Sequence, residues 1–225
     1  SGKTIEEAIS LRDSKVGPLC DLVVHPRNKD EIVNIVKYCN KNKIPIYVYG
    51  GGSSVNFGLR PSKGGISLVM STHMNKILEV NPINQTVTVE AGIMGPDLET
   101  ALNNAKELYK TPYNYTCGHF PQSFEFSSAG GWISALGSGQ ASSYYGDAYD
   151  LVISQEYITP AGVIKTLDYP ATATGPKVND IFKGSEGCFG VLTEITFKIF
   201  RYMPENRRYF GFIFPSFQDA INAGR

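Results

Sequence analysis

The feature that most constrains this chain is a run of three glycines at the end of an apolar strand. Ile44-Pro-Ile-Tyr-Val-Tyr49 reads as a short buried strand and runs straight into Gly50-Gly51-Gly52-Ser53-Ser54. Three bare backbones in succession can turn their N–H groups to one side, with two hydroxyls beside them. Such a loop can cradle a pyrophosphate without any lysine or arginine, and the plainer alternative is a tight turn. Glycine supplies 23 of the 225 residues and falls in clusters, so several backbone positions require close approach or unusual geometry.

Two further segments extend the pattern. Ser123-Phe-Glu-Phe-Ser-Ser-Ala-Gly-Gly-Trp132, continuing through Ser134 to Gly139, packs small residues and hydroxyls around the only tryptophan. A helix beginning near Ser127-Ser128 would point free N–H groups and serine hydroxyls at an anion. Gly184-Ser-Glu-Gly-Cys-Phe-Gly-Val191 leads into the last long strand. Three such segments in one chain imply a long, flat, phosphate-bearing ligand lying along backbone, and FAD fits this better than a mononucleotide does. Two other nucleotide signatures fail. The Rossmann fingerprint needs a glycine at its sixth position and an acid about 20 residues on, but Val55 and Met70 stand at those places. Gly2-Lys3-Thr4 matches the end of a Walker loop, yet no strand or first glycine precedes it.

The surrounding periodicities predict an α+β fold in two lobes. Asn28-Lys-Asp30 followed by Ile32, Ile35, Val36 and Cys39 has helical spacing with a polar start. With the strands at 44–49 and 66–70 it forms a small parallel α/β lobe over residues 20–70. Residues 71–204 read as a larger antiparallel sheet with helices. Ile77–Val80 and Thr86–Glu90 flank a hairpin turn, and Pro96-Asp97 opens a short helix. Leu151–Ile158 and Val191–Ile199 alternate with period two, as half-buried antiparallel strands do. Tyr209–Phe214 reads as a strand and Ser216 as a helix entry, with Arg225 following shortly. Residues 1–204 are therefore expected to form one ligand-binding domain and 205–225 the start of a truncated substrate or cap domain.

Composition excludes several functions. Twenty-one basic and 21 acidic residues cancel, so the chain lacks the electrostatic footprint of a nucleic-acid binder. Cys20, Cys39, Cys117 and Cys188 are scattered, as are His25, His73 and His119, so no zinc or thioredoxin-like spacing arises and no metal site is expected. No apolar run approaches a membrane span, and no signal peptide opens the chain, which is read as cytoplasmic.

The ordered set of motifs resembles the FAD-binding domain of the vanillyl-alcohol oxidase / p-cresol methylhydroxylase flavoenzymes. More narrowly it is similar to the alkyldihydroxyacetonephosphate synthases and their bacterial FAD-linked oxidase relatives. The carrying segments are Asp21–Pro26, Gly50–Val55, Val89–Gly92, Gly118–Phe126, Gly130-Gly-Trp132, Tyr145-Gly146, Asp150–Val152, Thr174-Gly-Pro176 and Gly184–Gly187. The resemblance implies that Val48, Tyr49, Gly50, Gly51, Gly52, Ser53 and Ser54 hold the FAD pyrophosphate. It implies that Gln122, Ser123, Phe126, Ser127 and Ser128 line the flavin and ribityl region. Ala135 and Ser138 would contact the phosphates or the adenosine side, and Glu186, Gly187, Gly190, Val191 and Leu192 would run along the adenine.

Some family members link flavin to a histidine in the first glycine loop. Here that region offers Ser53 and Ser54, so the FAD is expected to be non-covalent. The synthases carry an arginine where this chain has Leu136. The catalytic group is not identified. His119 is the one candidate, because it precedes the flavin-lining segment and titrates near neutral pH. The reading is an FAD-linked oxidoreductase of a small alcohol or 2-hydroxy acid, of which this chain is the FAD-binding part. A synthase-type transferase of ether-lipid synthesis and a non-catalytic flavin-binding subunit are the alternatives. The small-molecule substrate would be bound with the missing cap domain, and a homodimer is the expectation for the full-length protein.

Overall fold

The computed structural model describes residues 5–15, 17–169 and 171–225. After α1 (Ile5–Arg12), the first lobe contains β1 (Leu22–Val24), α2 (Lys29–Asn42), β2 (Ile46–Tyr49) and β3 (Ile66–Val69). β3 lies between β1 and β2 and is parallel to both, with Leu22 and Ile46 opposite Ile66. This is the parallel unit that the sequence predicts. α2 begins where the Asn28 side chain accepts from the Glu31 N–H, with Asp30 and Glu31 complementing the positive end of the helix. It ends at Lys43, whose left-handed φ of 57° lets its N–H return to the Asn40 and Cys39 carbonyls. Between these caps, Ile32, Val36 and Cys39 share one buried face.

The second lobe carries β4 (Ile77–Asn81), β5 (Thr86–Glu90), α3 (Gly95–Asn103), α4 (Ala105–Leu108), β6 (Tyr115–Thr116), α5 (Ala129–Ala135), α6 (Ser142–Tyr145), α7 (Ala148–Leu151), β7 (Val152–Thr159), β8 (Gly162–Lys165), α8 (Val178–Phe182), β9 (Val191–Lys198) and β10 (Phe200–Arg201). Its main sheet runs β4-β5-β9-β7-β8 with antiparallel neighbours, and β10 pairs with β6. The β4–β5 turn closes because the Asn81 side chain accepts from the Ile83 and Asn84 N–H groups.

The alternation along β7 and β9 predicts half-buried strands, yet all eight residues of β7 are buried and β9 is nearly so. Both faces of the sheet are covered. On one side Met74, Ile158 and Val191 join Ile32, Val36, Leu68 and Met70 of the first lobe in a shared core. There Lys29 of α2 reaches Glu156 at 2.7 Å, and the Thr193 hydroxyl donates to the same carboxylate at 2.8 Å. On the other side the Gln155 amide donates to the Asn179 carbonyl at 2.9 Å, and Tyr157 stacks on Phe182 while donating to its carbonyl. The polar positions of the alternation are thus buried but paired, which is how a strand tolerates them.

The segment 209–214, expected as a strand, pairs with no other strand among the described residues. Tyr209, Phe210, Phe212 and Ile213 are exposed, and an apolar run without ladder partners does not become a strand. The expected helix follows as α9 (Phe217–Gly224), where the Ser216 hydroxyl accepts from the Asp219 N–H. Among the described residues no helix is long and apolar enough to cross a membrane.

The Lys29–Glu156 pair bridges the lobes, and Glu156 is buried. Lys29→Ala is expected to lower stability by about 1–3 kcal/mol, because it leaves a buried carboxylate with the Thr193 hydroxyl as its remaining side-chain partner. Urea denaturation of the variant checks this, and an unchanged midpoint would place the lobe contact in the apolar core alone.

Candidate functional site

The glycine loop is shaped by what it lies against. A Cβ on Gly51 would run into the backbone carbonyl of Phe126, and one on Gly50 into the Ser128 hydroxyl. Gly52 has φ +73°, and the Tyr49 hydroxyl occupies the space where its side chain would start. β2 therefore delivers a loop thin enough to press on the backbone of residues 126–128. The Ser71 hydroxyl holds the root of the loop by donating to the Gly50 carbonyl at 3.0 Å.

Beside this contact opens a cleft of about 630 Å³, floored by the ends of β2, β3 and β5 and by α5. Val48, Gly50, Gly51, Gly52, Ser53 and Ser54 line it from the first lobe. Gln122, Ser123, Ser127, Ser128, Ala135 and Ser138 line it from the segment around α5, and Glu186, Gly187, Gly190 and Leu192 from the third glycine segment. The structure thus brings together the three segments that the sequence singled out separately. Tyr49, Phe126 and Val191 are not part of the wall. Tyr49 sits beside Gly52, Phe126 meets the glycine loop through its carbonyl, and Val191 turns into the core of the first lobe. The wall also includes Trp132 of the second segment, together with Tyr47, Asn56, Leu59, Met70 and Ala91, which the sequence did not mark. Met70 and Ala91 stand just past strand ends, where the pleat decides which side chain meets the cleft, and no composition signal marks such positions.

The donors of the cleft differ from expectation in one respect. The start of α5 was expected to offer free N–H groups to an anion. Instead Ala129 donates to the Ile93 carbonyl at 2.9 Å, Gly130 to the Ala91 carbonyl at 2.7 Å, and Gly131 to the Ser128 hydroxyl at 3.3 Å. Those bonds seat α5 on the chain leaving β5 and leave no N–H group of its first turn free. The Ser127 hydroxyl accepts from the Trp132 indole at 2.7 Å and keeps its own proton to donate. In the glycine loop the position is reversed. Among the described residues, no protein group accepts from the N–H groups of Gly51, Gly52, Ser53 or Ser54. A cleft wall with four unpaired backbone donors and two serine hydroxyls is what a pyrophosphate requires. Glu186, held at φ +47° with its N–H on the Ser134 carbonyl, is the one charged side chain on the wall among the described residues.

His119 is not brought to the wall. It is 2% exposed and packs edge-on against Trp132, with ring centroids 4.9 Å apart. Neither ring nitrogen has a partner. Burial lowers its pKa to about 4, against a smaller opposing pull from Asp147, so the ring is neutral at neutral pH. Cys117 is also buried, which pushes its thiol well up, and neither it nor Cys188 lines the cleft.

A small parallel lobe and a larger antiparallel one, meeting at a cleft walled by glycine backbone and hydroxyls, define a flavin-nucleotide-binding domain. The chain belongs to the FAD binding domain family, whose sequence pattern matches residues 20–168, and FAD is its cofactor. It is 38% identical over 225 residues to the alkyldihydroxyacetonephosphate synthase of Caenorhabditis elegans, covering 98% of this chain and 36% of that protein. It is 34% identical over 181 residues to the glycolate oxidase subunit GlcD of Bacillus subtilis, covering 80% of this chain and 37% of the subunit. A solved alkyldihydroxyacetonephosphate synthase superposes with a TM-score of 0.86 at 32% identity, covering 99% of this chain and 40% of that one. The resemblance to the vanillyl-alcohol oxidase / p-cresol methylhydroxylase flavoenzymes therefore holds. The chain spans about a third of the length of the curated relatives it matches.

Two outcomes follow from this geometry. Gly51→Val should destabilise the FAD-free protein by about 2 kcal/mol or more, since the clash is with the Phe126 carbonyl. Thermal melting of the deflavinated variant reads this, and an apo-protein of unchanged stability would mean that only the ligand demands glycine there. His119 has a folded pKa below its ordinary 6.5, so its stabilising contribution is complete above pH 6.5 and lost as pH falls towards 4. His119→Phe should remove on the order of 2–3 kcal/mol of that acid sensitivity. Denaturant midpoints at pH 7 and 4.5 measure it, and parallel pH profiles for the two proteins would contradict the assignment.

Proposed function

We propose that this chain is the FAD-holding part of an oxidoreductase acting on a small alcohol or 2-hydroxy acid. Residues 1–204 form the cofactor domain, and 205–225 open a substrate or cap region. The proposed roles follow the wall. Gly51 to Ser54 hold the pyrophosphate through backbone N–H groups and hydroxyls, Gln122, Ser123, Ser127 and Ser128 face the flavin and ribityl portion, and Glu186, Gly187, Gly190 and Leu192 run along the adenine side. When bound, FAD supplies a two-electron acceptor at the flavin ring. The chain's own groups bind and orient it and exclude water. None of the wall residues is a histidine or cysteine, which supports non-covalent attachment. The exposed run from Tyr209 to Phe214, with Ile213 wholly exposed, supports a further layer of protein over that segment.

The observation that favours oxidation over transfer is Leu136. The resemblance to the synthases calls for an arginine at this position, yet the chain places an apolar side chain there, half-exposed and packed on Gly184. The redox-neutral transferase remains the second reading, supported by the 38% identity to a synthase over nearly the whole chain.

Acid precipitation of the holoprotein should release all of its flavin, and colour left on the pellet would refute non-covalent binding. Anaerobic mixing of the full-length holoenzyme with a panel of small alcohols and 2-hydroxy acids should bleach the flavin absorbance, which returns on adding an acceptor. Exchange of an acyl group for a fatty alcohol without net bleaching would replace the first reading by the second.

A further inference from the structure

Trp132 is the only tryptophan of the chain, and its indole N–H donates to the Ser127 hydroxyl at 2.7 Å, a buried bond at the cleft wall. The indole ring is fixed on several sides. His119 meets it edge-on at 4.9 Å, Phe124 stacks at 6.1 Å with planes 16° apart, and Phe197 tilts against it at 6.2 Å. The Ser127 backbone is fixed as well, because its carbonyl accepts from the Gly95 N–H at 3.0 Å. Both ends of the indole–hydroxyl bond are therefore set before any ligand arrives.

A serine hydroxyl has one proton and two lone pairs, and an indole N–H can only donate. With one lone pair of Ser127 occupied by the indole, the hydroxyl proton must point away from Trp132. Among the described residues, no protein group accepts that proton. Ser127 is 5% exposed, so a hydroxyl proton without an acceptor there carries a desolvation cost. Ser127 is one of the residues that line the cleft.

We infer that Trp132 is a positioning residue that holds the Ser127 hydroxyl as a hydrogen-bond donor to an acceptor atom of bound FAD. The inference rests on the cofactor reading above and deepens it. Trp132 does not itself bond the ligand. By donating to Ser127 it orients the serine proton, and a hydroxyl that already accepts a hydrogen bond is a stronger donor through cooperative polarisation. The wall thus has two kinds of donor: backbone N–H groups from the glycine loop for the phosphates, and an indole-polarised hydroxyl for a second acceptor on the same ligand.

A double-mutant cycle on FAD affinity tests this, using Ser127→Ala, Trp132→Phe and the double variant, with FAD titrated into deflavinated protein. Ser127→Ala should weaken binding about tenfold, as expected for one buried hydrogen bond. Trp132→Phe, which keeps an aromatic ring and removes the N–H, should weaken it severalfold. The double variant should bind within about twofold of Ser127→Ala, because both changes remove the same bond. Independent, multiplying effects would overturn the inference.

A second readout does not depend on the fold of Trp132→Phe. In protein labelled with 15N-tryptophan, the single indole resonance should move further to lower field on FAD binding than it does in Ser127→Ala, where only the through-space effect of the flavin ring remains. The same displacement in both proteins would overturn the inference. Wild-type protein that takes up FAD while Ser127→Ala binds it equally well would refute the Trp132–Ser127 relay alone, whereas wild-type protein that takes up no FAD would refute the cofactor reading and the relay together.

Discussion

Everything at the cleft depends on a backbone-to-backbone approach that leaves no room for side chains. The loop Gly50 to Gly52 lies on the backbone of Phe126 to Ser128, and a Cβ at Gly50 or Gly51 would overlap the opposite segment. This contact joins the small parallel lobe to the segment leading into α5 and fixes the distance between two of the three cleft walls. The packing behind it is of ordinary kind. Ile158 and Val191 of the large sheet complete the core of the first lobe, and the Lys29–Glu156 pair spans the same boundary. Burial sets the lobes together, and the glycines set how close they come at the cleft.

The cleft is nearly free of formal charge. Among the described residues its wall holds Glu186 and no lysine or arginine, so a pyrophosphate held there as proposed would be attracted by unpaired backbone dipoles and hydroxyls. Such dipoles are fixed by the fold and need no side-chain ordering on binding, which lowers the entropic cost of association. The buried aromatic cluster of Trp132, His119, Phe124 and Phe197 stiffens the wall from behind. Within it His119 is a neutral, unpartnered ring whose part is packing against Trp132.

Much of this was legible in the sequence because its signals were local. The cap at Asn28, the turn at Asn81 to Gln85 and the proline at the start of α3 each declare themselves within a few residues. The three glycine-bearing segments stood out for the same reason, and the structure brings them to one cleft. What could not be read were facts set by distant neighbours. The polar positions of β7 look solvent-facing until α2 and Asn179 arrive to pair with Glu156 and Gln155. The first N–H groups of α5 look free until the Ala91 and Ile93 carbonyls take them. The family resemblance puts Val191 on the wall, and only the strand's pleat shows that it turns the other way. The expectation for Tyr209 to Phe214 failed because composition alone cannot supply a ladder partner.

The central claim is that the glycine loop binds the pyrophosphate, so that the nucleotide half of the cofactor contributes most of the anchoring. Titration of the deflavinated protein with FAD and with riboflavin tests it directly, since riboflavin keeps the ring and ribityl chain but lacks both phosphates and the adenosine. FAD should bind at least about a hundredfold more tightly than riboflavin, the equivalent of one or two hydrogen bonds to charged oxygens, and ADP should compete with it. Riboflavin binding as tightly as FAD, with ADP having no effect, would contradict the account.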